Sequence, residues 1–379
     1  MSGGERRVIR VGVDYRSAVP AGATGIGRYA LELSHALARL GDPGLDLVLY
    51  ANRARGRVAP LPAGASARLV ARRCPGKLVR WLHPLLSVQT FTGPLDLFHY
   101  TDFSRPPLAK GTPFVATLHD VTFLLSPDYH RAGDRAALGA MARATLRDAA
   151  LVLTDSEAAR RDLLAKIPSD GARVVAVPLA AGERFFAVPS REALAAVRAR
   201  HSLPEKFLLA VGTIEPRKNH ARLVRALARC RERLPLVLAG KRGWLTGAFD
   251  AAVKDSPVKV IELGHVPDGD LPALYRLAEA VAYPSLAEGF GLPVLEAMAA
   301  GAPVVTSNRS SLAEVAGNAA VLVEPEDEAA IADGIDRARR GRERLRTLGP
   351  ERARTFSWER TARATLAAYR DALRIGRSE

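Results

Sequence analysis

The segment Ser285-Leu286-Ala287-Glu288-Gly289-Phe290-Gly291-Leu292-Pro293-Val294-Leu295-Glu296 places two acids around a glycine turn. Pro293 can open a helix without losing a needed N–H. The amides of Phe290, Gly291 and Leu292, at the positive end of that helix, suit a phosphate or pyrophosphate. Gly289 and Gly291 let such a group approach the backbone closely. A carboxylate beside an anion site is electrostatically wasteful unless it binds something else. Sugar hydroxyls are the neutral hydrogen-bond donors that fit Glu288 and Glu296. The plainer alternative is an ordinary strand–turn–helix with a favourable acid in its first turn.

Three further segments carry candidate chemistry. Val211-Gly212-Thr213-Ile214-Glu215-Pro216-Arg217-Lys218-Asn219-His220 follows a strand and opens a helix. At that loop, Arg217 and Lys218 are either a diphosphate clamp, the guanidinium binding two oxygens and the ammonium acting as a point charge, or solvated surface. Thr117-Leu118-His119-Asp120 ends another strand, the edge where open α/β sheets bind ligands. His119 there is a proton carrier, a metal ligand or a plain strand-end side chain. His99 holds a similar strand end, and Tyr129 and His130 are candidates for the acceptor side of a cleft.

Thr24-Gly25-Ile26-Gly27-Arg28-Tyr29-Ala30 reads as a dinucleotide fingerprint, so a dinucleotide-dependent oxidoreductase is the rival reading. Two features weaken it. About ten residues separate the first strand from Gly25, and the second strand ends Leu49-Tyr50-Ala51-Asn52 without the ribose-binding acid. These four segments themselves contain no Asp-x-Asp motif, so a catalytic divalent metal is not indicated, and no cofactor is expected.

The elements that must position these residues are short apolar strands alternating with helices, the pattern of an α/β protein with parallel sheets. Strands are expected at Val8–Val13, Leu45–Tyr50, Leu69–Ala71, Leu97–Tyr100, Phe114–Leu118, Leu151–Thr154 and Val174–Val177, then at Phe207–Val211, Leu236–Ala239, Val258–Leu263, Ala280–Tyr283, Val304–Thr306 and Ala320–Val323. Helices are expected between them, among them Gly27–Leu40, Asn219–Arg231, Pro293–Ala300 ended by Gly301 and Pro303, and Glu328–Arg340. Residues 178–206 lack strand character, and Pro178, Pro189 and Pro204 bracket a short helical stretch there. The domain boundary falls in that region. A last helix starts near Trp358 with Ser357 as its N-cap.

The chain has 379 residues, 48% hydrophobic and 25% charged, with 31 Gly, 25 Pro and 2 Cys. That length favours two domains, and the composition excludes a disordered chain, a collagen and a disulfide scaffold. Cys74 and Cys230 have no CxxC partners and read as buried thiols in a reducing compartment. The N-terminus lacks a signal-peptide core, and no uncharged apolar run is long enough to span a bilayer, so a cytoplasmic protein is expected. The net charge is +15, with 25 Lys+Arg against 16 Asp+Glu up to residue 190 and 30 against 24 beyond it. Arg53 to Arg80 holds eight basic residues and no acidic one, followed directly by Trp81 and Leu82. This segment is read as a contact for an anionic membrane surface, with a solvated basic face as the alternative. The remaining excess is spread along the chain and gives no nucleic-acid signal.

Glu288 and Glu296 match the E-x7-E signature, and AYPSLAEGFGLPVLEAMAAGAPVVTSNRSSLAEVAG resembles the retaining glycosyltransferases of family 4, of the GT-B fold, over nearly the whole chain. The resemblance implies two Rossmann-like domains facing across a cleft. These would be an acceptor-binding domain at 1–190 joined by a returning helix at 358–379, and a nucleotide-sugar domain at 200–357. It implies that Glu288 contacts the hydroxyls of the donor sugar and Glu296 the ribose. EPRKN resembles the motif whose basic residues hold the pyrophosphate beside Gly212, although some members carry an Arg where this chain has Thr213. The TGIGRY loop would lie across the cleft, with Gly27 near the donor phosphate. His119 would hydrogen-bond the sugar, and the loop at His265 would hold the base by its backbone. The combination DLFHYTDF, TLHDVTF and VGTIEPRKNH looks most like bacterial mannosyltransferases of O-antigen and exopolysaccharide synthesis. It implies GDP-mannose as donor and a lipid-linked saccharide as acceptor, with UDP- and dTDP-sugars as alternatives.

Overall fold

The computed structural model describes residues 7–19, 25–52, 57–73, 81–82, 85–169 and 173–375. Strands β1 (Ile9–Asp14), β2 (Leu45–Asn52), β3 (Arg68–Arg72), β4 (Leu97–Tyr100), β5 (Phe114–Leu118), β6 (Leu151–Thr154) and β7 (Val174–Ala176) form one parallel sheet in the order β3-β2-β1-β4-β5-β6-β7. Strands β8 (Leu208–Val211), β9 (Leu236–Ala239), β10 (Val260–Gly264), β11 (Ala280–Tyr283), β12 (Val304–Ser307) and β13 (Val321–Val323) form a second, in the order β10-β9-β8-β11-β12-β13. In each sheet the chain runs outward from the central strand and then returns to its other side. The reversals fall between β1 and β4 and between β8 and β11, and ligands of such sheets bind outside the carboxyl ends of the strands at those points.

The strand sequences explain this arrangement. β6, β9 and β11 are buried at every position, as strands covered by helices on both faces must be. Helix α1 (Gly25–Leu40) buries Tyr29, Ala30, Leu33 and Leu37 at three- and four-residue spacing, and so turns one apolar stripe inward. Helices α2 (Glu157–Lys166), α3 (Arg191–Arg200), α4 (His220–Leu227), α5 (Leu292–Ala299), α6 (Ser310–Ala316) and α7 (Trp358–Ile375) complete the set that positions the site. Pro293 is the second residue of α5, and Gly301 lies just past its end.

No strand lies between β7 and β8. That stretch holds α3, and its Leu179 and Phe185 join an apolar cluster running from Leu33 in the first domain to Tyr275 and Leu295 in the second. The final helix returns to the first domain and packs on α1. Ser357 Oγ accepts from the Arg360 amide at 3.2 Å, the expected cap. Thr361 Oγ1 donates to the Pro178 carbonyl at 2.7 Å, and Arg370 pairs with Asp42 at 3.0 Å. Tyr369, fully buried, meets His99 Nδ1 at 2.7 Å.

One helix differs from expectation at both ends. Asn219 is not part of α4 but precedes it in the left-handed region at φ 62°. After Leu227 the chain tightens into three-residue turns, with amides of Ala228, Arg229 and Cys230 bonded three residues back. Such turns commonly satisfy the last carbonyls of a helix.

Cys230 is buried, as expected. Cys74 and Thr24 lie outside the described residues, as do Arg53, Arg55, Lys77 and Arg80 of the basic segment. Within that segment Arg57, Arg72 and Arg73 are exposed, while Arg68 donates to the Thr92 carbonyl. Trp81 and Leu85 are 79% and 80% exposed. No helix among the described residues is long and apolar enough to cross a membrane.

Candidate active site

The carboxyl ends of the two sheets face one another across a cleft of about 350 Å³. One wall carries Gly25, Ile26, Tyr29, His119, Asp120 and Asp155; the other carries Gly212, Arg217, Lys218, Tyr283 and the turn from Glu288 to Pro293. The basic pair stands on a single 3-10 turn after β8. Asn219 fixes that turn, because its left-handed backbone aims Nδ2 at the Pro284 and Pro325 carbonyls, 2.9 and 2.7 Å away.

Glu288 sits inside the basic pair. Its Oε2 accepts from Arg217 Nη1 at 2.6 Å, and its Oε1 from Lys218 Nζ at 2.7 Å and Tyr283 Oη at 3.0 Å. Arg217 also donates to Glu215 at 2.7 Å. Burial alone would raise the Glu288 pKa, but Arg217 and Lys218 outweigh it and hold the carboxyl at about 2. Burial pulls the Lys218 ammonium down against the same carboxylate. Both groups therefore meet a ligand with their charge already answered by a neighbour.

The turn after Glu288 depends on glycine at two positions. A Cβ on Gly289 would lie 1.7 Å from the His119 carbonyl, so only glycine lets this turn close on the end of β5. Gly291 caps α5 at φ 101°, a left-handed conformation that glycine adopts without steric cost. The amides of Phe290, Gly291 and Leu292 have no partner among the described residues and stand at the open start of the helix. Ser310 and Ser311, at the start of α6, donate to the Glu288 carbonyl at 2.7 and 2.9 Å and hold the turn from behind.

On the opposite wall, His119 Nδ1 lies 2.8 Å from Asp155 Oδ2 and Nε2 lies 3.1 Å from the Thr101 carbonyl. Tyr29 meets the ring edge-on at 4.6 Å. Burial lowers the His119 pKa, but Asp155 prevails and raises it to about 9. His99 has the opposite fate. It lies buried between Tyr369 and Thr117, and desolvation pushes it to about 3, which makes it a neutral core residue.

His119, Glu288, Arg217, Lys218, Gly212, Phe290, Gly291 and Leu292 thus share one cleft. Glu296, Gly27 and His265 are not among its lining residues. Glu296 is buried behind the turn, bound to Arg28 and, at 3.3 Å, to Tyr275 Oη. Gly27 is buried within α1, next to the lining residues Gly25 and Ile26. His265 is exposed in the loop after β10. Tyr129 and His130 do reach the other domain: Trp244 Nε1 donates to the Tyr129 carbonyl at 3.0 Å, and its ring stacks on His130 at 5.8 Å. Among the described residues no cluster of His, Cys, Asp or Glu is placed to hold a metal ion.

Sequence reasoning passed over Arg28, Asp155, Tyr283 and Trp244. Asp155 had a usable signal, since it follows β6 as Asp120 follows β5, at the same sheet edge. Arg28 lay inside a quoted motif, but its partners are distant in sequence.

Comparison with known proteins agrees with this geometry. Residues 24–180 match the family described as glycosyl transferase 4-like domain, and residues 196–354 match glycosyl transferases group 1. The chain is 32% identical to O-antigen chain mannosyltransferase B of Escherichia coli, over 92% of its own length and 96% of that protein. Sucrose-phosphate synthase of Thermosynechococcus elongatus superposes with a TM-score of 0.72 at 22% identity, covering 96% of this chain and 98% of that one. HepE of Anabaena, solved with UDP and glucose, superposes with a TM-score of 0.67 at 18% identity, covering 95% and 98%. The paired parallel sheets, the matched segments in both halves and the full-length relative together establish that this chain belongs to the family-4 glycosyltransferases of the GT-B fold.

Proposed function

We propose that the cleft transfers a hexose from a nucleotide diphosphate sugar to a hydroxyl acceptor with retained anomeric configuration. The observation that carries this reading is the placement of Arg217, Lys218 and the open amides of Phe290–Leu292 around one small volume, with Glu288 between the charges and the turn. These groups suit a departing diphosphate. Glu288 is not the nucleophile of a double displacement: both its oxygens hold cations and it stands with the groups that hold the diphosphate, while on the facing wall Asp155 is engaged with His119. A retaining reaction here is best served by same-face substitution. The bond from the anomeric carbon to the diphosphate oxygen breaks as the acceptor oxygen attacks from that face, and the diphosphate takes the acceptor's proton. The protein then contributes positioning and charge stabilisation. No metal or other cofactor is invoked: the diphosphate takes the place of Glu288 against Arg217 and Lys218, and the helix start adds its amides.

In this reading Glu288 and His119 orient the sugar, Gly212 and Gly27 flank the phosphates, and Glu296 orients the ribose once Arg28 moves aside. The backbone at His265 holds the base. The name of the Escherichia coli relative favours a mannosyl group as the hexose and an O-antigen chain as the acceptor; we take GDP-mannose as the donor and a lipid-linked saccharide in surface polysaccharide synthesis as the acceptor. The UDP bound by HepE keeps a UDP-sugar as the second reading. The exposed Arg57, Arg72 and Arg73, followed in sequence by the exposed Trp81 and Leu85, suit a peripheral contact with an anionic inner membrane surface.

A thermal-shift panel of GDP, UDP, ADP, dTDP and NAD tests the donor. GDP is expected to raise the melting temperature most. A larger shift with UDP transfers the proposal to that donor, and a shift with NAD alone overturns it.

A further inference from the structure

We propose that Asp155 is a substrate-facing residue that fixes His119 as an imidazolium through one carboxylate oxygen and accepts a hydroxyl of the donor sugar with the other. The inference rests on the glycosyl-transfer reading for its second half only. Its first half follows from hydrogen-bond geometry. His119 Nδ1 faces Asp155 Oδ2 at 2.8 Å and Nε2 faces the Thr101 carbonyl at 3.1 Å, so both ring nitrogens meet groups that only accept. A neutral tautomer would set one nitrogen lone pair against an oxygen lone pair. The doubly protonated ring satisfies both contacts.

The surroundings agree. Asp120 follows directly in the chain and adds a second negative charge, while His99, on the neighbouring strand, is buried and neutral. Tyr29 presents its ring edge from α1. From the other domain the turn at Gly289 abuts the His119 carbonyl and brings no charge of its own. Glu288, Arg217 and Lys218 across the cleft are paired with one another. His119 therefore remains charged through neutral pH, with its pKa raised to about 9. With both N–H groups committed, His119 donates no hydrogen bond to the sugar and orients it as a fixed charge and through Asp155, not as a general base.

The second half rests on Asp155 Oδ1. This oxygen is buried, lines the cleft wall through its residue, and has no partner among the described residues. A buried carboxylate oxygen left unpaired is costly, and a ligand hydroxyl removes the cost. The donor sugar is the ligand in reach. The neighbouring Ser156 Oγ donates to the Gly289 carbonyl at 2.7 Å, which ties Asp155 to the turn whose amides suit the diphosphate. A sugar attached to that diphosphate begins at this wall.

Two measurements test the proposal. Nitrogen NMR of the full chain labelled with 15N-histidine, with His119 assigned by its loss in His119→Gln, reads the ring state without turnover. The wild type is expected to keep both His119 nitrogens protonated above pH 8, and Asp155→Asn to lower the titration midpoint by about two pH units or more. A neutral His119 at pH 7 in the wild type, or an unchanged midpoint in Asp155→Asn, overturns the first half. Calorimetric titration with GDP-mannose and with GDP reads the second half. Asp155→Asn is expected to weaken GDP-mannose about tenfold while leaving GDP within about twofold, and equal losses for both overturn the hydroxyl contact. If the wild type binds neither compound nor any other nucleotide sugar, the glycosyl-transfer reading and the hydroxyl contact fail together, and the NMR result still decides the charge state.

Discussion

Arg28, on the first helix of the N-terminal domain, forms a buried ion pair with Glu296, on the helix that begins at the candidate phosphate turn of the C-terminal domain. The same guanidinium holds Asp268 at 2.9 Å. A carboxylate expected to meet the ribose is thus engaged by the opposite domain. Burial raises the Glu296 pKa, and Arg28 and Arg184 work against that shift.

Replacing Arg28 by Ala strands Glu296 in a buried site without its cation. The expected loss is about 3–5 kcal/mol, because an uncompensated buried charge costs more than the pair contributes. The double variant Arg28→Ala with Glu296→Gln is expected to lose less than the sum of the two single losses, with a coupling of about 1–3 kcal/mol in urea unfolding.

Most of the fold was legible because it depends on local pattern. The inner strands are short apolar runs buried on both faces, so β4, β5, β6, β9 and β11 match their expected ranges residue for residue. The cleft residues near one another in sequence, Arg217 with Lys218 and Glu288 with Phe290–Leu292, were legible for the same reason. Pairings across the domains were not. Arg28 with Glu296 and Trp244 with His130 join positions far apart in sequence, and no periodicity records which strand ends will meet. The engagement of Glu288 by its own basic neighbours was also hidden, since spacing tells which groups converge but not which of them pair.

Trp244 links the domains at the cleft edge through the Tyr129 carbonyl and the His130 ring. Trp244→Ala is expected to raise the KM for the donor roughly five- to tenfold, the loss of about 1 kcal/mol of closure. Its melting temperature should stay close to that of the wild type. Steady-state kinetics beside thermal unfolding separates the two effects.

Acid stability follows from two buried neutral histidines. Desolvation holds His99 and His220 at about 3, below the ordinary value of 6.5. The unfolded chain therefore binds protons that the folded chain refuses between those values. The stability that these two histidines contribute is expected to be fully present above about pH 6.5 and to fall as pH drops toward 3, by about 1.4 kcal/mol per pH unit for each histidine. Urea midpoints measured from pH 7 to pH 5 check the slope. Tyr369→Phe, which removes the hydroxyl facing His99 Nδ1, should cost a further 1–3 kcal/mol or so at pH 7.

Glu288 adds a second, more acidic step. Its carboxyl is held at about 2 against an ordinary value of 4.5, because Arg217 and Lys218 outweigh the effect of burial. The stability this contributes is present above pH 4.5 and is lost as pH falls from there toward 2. Glu288→Gln is expected to lack this part of the acid transition. It should also bind nucleoside diphosphate at least as tightly as the wild type, since the competing carboxylate is gone from the basic pair.

The central claim is that this cleft cleaves a nucleotide diphosphate sugar with Glu288 at the reacting sugar. Release of GDP from GDP-mannose in the presence of a lipid-diphosphate saccharide, compared between the wild type and Glu288→Gln, tests it most directly. The account predicts acceptor-dependent release by the wild type and a rate lower by about 100-fold or more in the variant, with GDP binding kept. Equal release by the two proteins would contradict it.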